Sequence, residues 1–330
     1  MKNILFALIL CLAGFNYLFA QPGINDPGFN VADDCTFGSG ESFDKKVMAT
    51  ALQTDGKIVT GGDFTIYNGK IRNRIARLNA DGTLDQSFNP GTGCNGEFFS
   101  YTPTYVRALA VQKDGKILAG GNFLTYNGIS RKALVRINAD GSIDKSFNVG
   151  NGFDAPVFSI ALQPDGKILV GGNFTVYNGV SRVRIARLHA NGTLDTSFNP
   201  GSGFNQWVST MIVQSNGRIL VGGFFSTYNG NTSLRMARLL GNGTFDASFS
   251  TGTNGFQSEV TSILKQSDGK IIAAGHFTNY KGTLRVRIAR LDTSGNLDLT
   301  FNAGSGFNAG VYATSLQPDG KIIVGGAFTN

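Results

Sequence analysis

The side chains that could do chemistry gather in two stretches, 31–46 and 90–105. Asp33, Asp34, Glu41 and Asp44 make the first stretch acidic, and Glu97, Phe98, Phe99, Tyr101 and Tyr105 make the second largely aromatic. Two carboxyl groups about 5 to 10 Å apart in one pocket could cleave a glycosidic bond. Aromatic rings beside carboxylates could instead hold a sugar or a protein surface without turning it over. Other chemistries have less support. The chain has two histidines, His189 and His276, which removes most histidine-based catalysis. It has no G-x-S-x-G elbow, no phosphate-binding glycine loop, no cluster with metal-ligand spacing and no cofactor fingerprint. No metal and no cofactor are therefore expected.

A repeat positions those stretches. Ala161-Leu-Gln-Pro-Asp-Gly-Lys-Ile-Leu-Val-Gly-Gly-Asn-Phe174 recurs with anchors at Asp55, Asp114, Asp165, Asn216, Asp268 and Asp319, spaced by 59, 51, 51, 52 and 51 residues. A second half, Arg184-Ile-Ala-Arg-Leu188 with Gly192-Thr-Leu-Asp-Thr-Ser-Phe-Asn199, recurs from Arg74, Ala133, Arg235 and Arg287. In the third unit the turn residues Pro164-Asp165-Gly166, Asn178-Gly179 and Asn191-Gly192 separate four strand candidates, at 157–163, 168–174, 182–188 and 193–198. No segment sustains a helical apolar period.

Four antiparallel strands in a unit of about 50 residues predict an all-β fold, a β-propeller of four-stranded blades. About six blades are visible, the last incomplete. Residues 26–30 match the end of a fourth strand and are expected to close the last blade, which protects its edge. The sixth unit stops after two strands at Asn330, which reads as a piece of a longer chain. The motif A-L-Q-x-D-G-K-I-x-x-G-G-x-F followed by R-I-A-R-L-N-x-D-G-x-L-D-x-S-F-N closely resembles the delta-60 repeat of large secreted bacterial proteins. The resemblance covers residues 26–330 and implies a propeller outside the cytoplasm, with no catalytic residues to carry over.

Lys2, the apolar run Ile4 to Leu12 and the small-residue end at Ala20 read as a secretory signal peptide, residues 1–20. The mature propeller would span 21–330, secreted or at the cell surface, with no transmembrane anchor. The net charge of +7, from 29 basic and 22 acidic residues, would suit an acidic partner. Most arginines, however, recur beside the third strand near Asp165, Asp195 and their equivalents. Repeated ion pairs or stacking on Phe rings explains them better than nucleic acid, which export also removes. Phenylalanines recur at three unit positions, for example Phe174, Phe198 and Phe204, as packing between blades would require.

Binding residues are sought where the repeat breaks. From Asn30 to Asp55 and from Asn89 to Asp114 there are 25 residues, against 17 or 18 in the other units. Each long loop places a cysteine five positions after the Asn, and a Cys35–Cys94 disulfide is expected to tie the loops together. The loops share a face with turns bearing Tyr67, Tyr126, Tyr177, Tyr228 and Tyr280. With Asp33, Asp34, Glu41, Phe98, Phe99 and Tyr101, these tyrosines are the candidate ligand-binding residues. The leading reading is a secreted, non-catalytic module for a protein or polysaccharide partner. The alternative is an exported carbohydrate-active hydrolase or lyase with its acids in the two long loops.

Overall fold

The computed structural model describes Phe29 and residues 42–249 and 251–329, and among these every regular element is a strand. The third unit shows how a repeat folds. Val157–Leu162, Ile168–Gly172 and Ile185–Leu188 form one antiparallel sheet with Ile168–Gly172 in the middle. The middle strand is buried along its whole length, as expected of a strand covered on both faces. The same order recurs four times more, around Ile58–Gly62, Ile117–Asn122, Ile219–Gly223 and Ile271–Gly275. A sixth, two-stranded sheet pairs Val311–Leu316 with Ile322–Gly326.

The fourth strand is much shorter than expected. It contracts to one bridge per unit, Leu188 to Leu194 in the third. The cause is the Asp195 carboxylate, which accepts from the Ser197 amide at 3.0 Å and its hydroxyl at 2.6 Å and so turns the chain away from the sheet. A small hairpin, Val176–Tyr177 with Val180–Ser181, takes the segment between second and third strands. Asn178 and Gly179 at its tip have φ of 45° and 80°, the left-handed pair that an Asn-Gly turn selects.

Sheets stack on one another through mixed clusters: Leu169 and Ile185 of the third pack with Val208, Met211 and Phe225 of the fourth. Gly171 permits the approach, since a Cβ there would lie 2.6 Å from Val208 Cγ1. Phe29 packs on the first sheet beside Ile58, Tyr67 and Leu78. First-strand residues of the first, second, third, fourth and sixth sheets line a single cavity, so the sheets surround a common centre. No strand pairing among the described residues joins the sixth sheet to the first.

Each complete unit also contains an Arg–Asp ion pair, buried in the first four units and partly exposed in the fifth, as the recurrence of Arg and Asp predicts. Arg187 Nε lies 2.7 Å from Asp195 Oδ2, with the guanidinium 5.0 Å above Phe198. Arg77–Asp85, Arg136–Asp144, Arg238–Asp246 and Arg290–Asp298 repeat it. Burial raises the Asp195 carboxyl, but hydrogen bonds from Ser197, Lys167 and Arg187 outweigh it and hold the group well below its ordinary 3.8. Asp85 and Asp144 are lowered in the same way. A carboxylate depressed by folding contributes stability that is complete above its unfolded value and is lost as pH falls toward its folded one. The melting temperature should therefore hold between about pH 7 and 5 and drop below about pH 4. Stability that rises between those lower values in a thermal-melt series would contradict the pairing.

Candidate functional site

All six first strands carry a β-bulge at the same place. The residue before each bulge is always valine: Val47, Val106, Val157, Val208, Val260 and Val311. The bulged residue differs every time: Met48, Arg107, Phe158, Ser209, Thr261 and Tyr312. A bulge leaves one residue outside the ladder and re-aims its side chain, which is why bulges gather beside functional sites. Opposite each valine stands a glycine: Gly62, Gly121, Gly172, Gly223, Gly275 or Gly326. A Cβ there would run into the carbonyl oxygen of the residue preceding the valine.

Two further variable positions meet at this point. The amides of Asp63, Asn173, Phe224 and His276 donate to the carbonyls of Lys46, Pro156, Trp207 and Glu259 at 2.9 to 3.1 Å. Arginines just before the third strands reach in from residues with left-handed φ of 65° to 68°, with Arg184, Arg235 and Arg287 donating to the carbonyls of Asn173, Phe224 and His276. An invariant frame of valine, bulge and glycine thus presents a different side-chain set in each unit.

The fourth and fifth units join into one network. Glu259 Oε1 accepts from Trp207 Nε1 at 3.0 Å and Ser209 Oγ at 2.5 Å. Trp207 stacks on Phe224 at 4.7 Å, and the Arg235 guanidinium lies 4.3 Å from the Phe224 centroid. Burial pulls the Arg235 pKa down, and the Glu259 charge opposes that. His276 faces Tyr312 at 5.5 Å, and Tyr312 is 55% exposed. Within the ring of sheets lies a cavity of about 410 Å³, lined by Met48, Arg107, Phe158 and Ser209 and by the hydroxyls of Thr50 and Thr210. Arg107 lies 4.5 Å above Phe158.

The structure spreads the residues expected to bind. Tyr67, Tyr126, Tyr177, Tyr228 and Tyr280 are at most 2% exposed, and their hydroxyls donate to the carbonyls of Gly82, Gly141, Gly192, Gly243 and Gly295. Burial raises the pKa of Tyr126, Tyr177, Tyr228 and Tyr280. These rings tie each hairpin to the next turn and offer no face to a ligand, which corrects their assignment as binding residues. Phe98 packs against the core of the third unit, whereas Phe99 and Tyr101 are 39% and 83% exposed and stack at 5.9 Å. Asp44 is also structural, its carboxylate accepting from the Thr65 amide and hydroxyl and the Ile66 amide. Asp33, Asp34, Glu41 and Cys35 lie outside the described residues.

The two long loops are not equivalent. Cys94 bridges Tyr126 where Phe43, Phe153, Phe204 and Phe256 bridge the tyrosines of their own units. It is wholly buried, which pushes its thiol pKa up, and it has no disulfide among the described residues. The extra residues of the first unit therefore precede the aromatic position, and those of the second follow it. Among the described residues no group of three or more His, Cys, Asp or Glu could hold a metal ion.

Strand-only repeats stacked around a shared centre define a β-propeller-type protein. The chain belongs to the β-propeller family described as a domain of unknown function, DUF5122, which matches residues 53–88, 112–147, 163–198, 214–249, 266–301 and 317–330. No curated protein matches the chain. Among solved structures, the WD40 β-propeller domain of Doa1 is similar at 16% identity and TM-score 0.51, over 84% of this chain and 74% of that one. Virginiamycin B lyase from Staphylococcus aureus is similar at 16% identity and TM-score 0.51, over 87% and 78%. The likeness to both is one of fold. No helix among the described residues is long and apolar enough to cross a membrane.

Proposed function

We propose that this propeller is a secreted or cell-surface, non-catalytic binding module whose channel mouth recognises an extracellular polysaccharide or protein. The observation that carries the reading is the set of six bulges, in which constant neighbours hold side chains that change from unit to unit. Residues that only build a blade repeat with it, as the tyrosines and ion pairs do. Side chains that vary on an invariant frame instead form one composite surface. The exposed Phe99–Tyr101 pair extends it. In this reading residues 1–20 direct export, about six blades of the four-stranded kind are visible with the last incomplete, residues 26–30 add a closing strand to that last blade, and the units are delta-60 repeats.

Affinity electrophoresis through a panel of soluble polysaccharides tests the reading. The protein should be retarded by one or more of them, and Thr50→Trp, which fills the cavity, should migrate freely while melting normally. Retardation unchanged by Thr50→Trp would remove the mouth as the site. Chain shortening or new unsaturated ends in the same incubations would replace a binding module with a hydrolase or lyase.

A further inference from the structure

The mouth has a distinct charge and shape. Beside the bulges Arg184, Arg235 and Arg287 donate to backbone carbonyls, with the acid Asp154 near Arg184 and Glu259 near Arg235. The Glu259 carboxylate already accepts from Trp207 and Ser209. Of the cations, Arg107 belongs to the cavity wall itself, and no ion pair engages its guanidinium among the described residues. The remaining wall mixes six hydroxyl residues, Thr50, Thr210, Thr314 and Ser315 among them, with nine apolar ones that include Met48, Leu52, Phe158 and Met211. A guanidinium with no ion-pair partner among the described residues, in a partly desolvated cavity, favours a planar anion that it can grip with two hydrogen bonds.

We propose that the channel mouth binds a carboxylate-bearing saccharide, a uronic-acid unit, with Arg107 gripping the carboxylate. The threonine and serine hydroxyls exchange hydrogen bonds with the sugar hydroxyls, and Met48 and Phe158 cover its apolar edge. This rests on the mouth being the binding site. The cavity is near the low end of ligand-pocket sizes, about 300 to 1,000 Å³, and suits one or two sugar rings better than a folded protein element. The hydroxyl side chains of the wall, of which Ser209 and Thr314 are already bonded to Glu259 and Ser262, have the donors and acceptors a polyol needs, and an acidic peptide would leave the others unpaired.

Isothermal titration with oligogalacturonate, its methyl ester and a neutral cello-oligosaccharide is the test. Oligogalacturonate should bind, more weakly as salt rises, and the ester and the neutral sugar should bind at least about 10-fold more weakly. Arg107→Gln should weaken oligogalacturonate by about 10- to 100-fold, the range for a lost charge-assisted hydrogen bond. Arg107→Lys, which keeps the charge without the fork, should fall between, and unchanged melting curves show that both variants fold. Equal affinity for the neutral sugar, or full affinity in Arg107→Gln, overturns the proposal. If the neutral sugar or a glutamate-rich peptide binds instead and Thr50→Trp abolishes that binding, the mouth stands as the site and only the uronate assignment fails. If Thr50→Trp leaves all binding intact, both readings fail.

Discussion

Asp195→Ala should cost about 3–5 kcal/mol of stability, the range for breaking one side of a buried ion pair, and should lower the melting temperature accordingly. Asp195 is 2% exposed and Arg187 6%. Without the carboxylate, Arg187 keeps its donation to the Gly241 carbonyl and its place above Phe198, so the charge stays buried with nothing opposing it. Lys167, at 3.1 Å from Asp195 Oδ2, loses the same partner. The cost arises from the orphaned cation and not from the worth of the pair. Arg187→Met combined with Asp195→Ala should therefore recover most of the loss. Asp298→Ala should cost less, because the Arg290 and Asp298 side chains are 18% and 10% exposed and water can take over. Equal losses at the two sites, or no recovery in the double variant, would show that the pair does not act through burial.

The scaffold was more legible in the sequence than the site, for reasons visible at particular residues. Asn178-Gly179, Arg187 with Asp195 and the packing phenylalanines each recur, and recurrence reports what every blade needs. The same logic passes over positions that do not recur. His276 stands where the second and third units have Asn122 and Asn173, and its amide donates to the Glu259 carbonyl beside the fifth bulge. The bulge itself is hidden from periodicity, because it shifts the register by one residue without changing the spacing of the repeat. Six identical valines, each followed by a different residue, were the available clue. The tyrosines failed the other way: a residue beside an exposed turn looks accessible until its hydroxyl is found on the next turn's carbonyl. Cys94 likewise reads as a loop thiol by spacing from Asn89, although it fills the slot that Phe153 fills in the next unit.

Gly172→Ala should be far more damaging than Gly171→Ala, although both residues lie in the same buried strand. A Cβ on Gly171 meets Val208 Cγ1 at 2.6 Å and Met211 Cε at 3.1 Å, side-chain atoms of the next sheet that can shift. The protein itself demonstrates this, since Ala274 occupies the equivalent position in the fifth unit, wholly buried. An overpacking cost of about 1–3 kcal/mol is expected there. A Cβ on Gly172 instead collides with the Pro156 carbonyl oxygen and comes within 3.0 Å of Val157 Cα, both backbone atoms. Neither can move unless the bulge opens, and glycine stands at that position in all six units. The loss should exceed the Gly171→Ala cost, and any folded remainder should present Phe158 in a different direction, weakening binding at the mouth. Chemical denaturation of the two variants side by side decides the matter. Equal destabilisation would mean that the bulge is not held by the close approach of these two strands, and that the glycine frame does not set what the mouth displays.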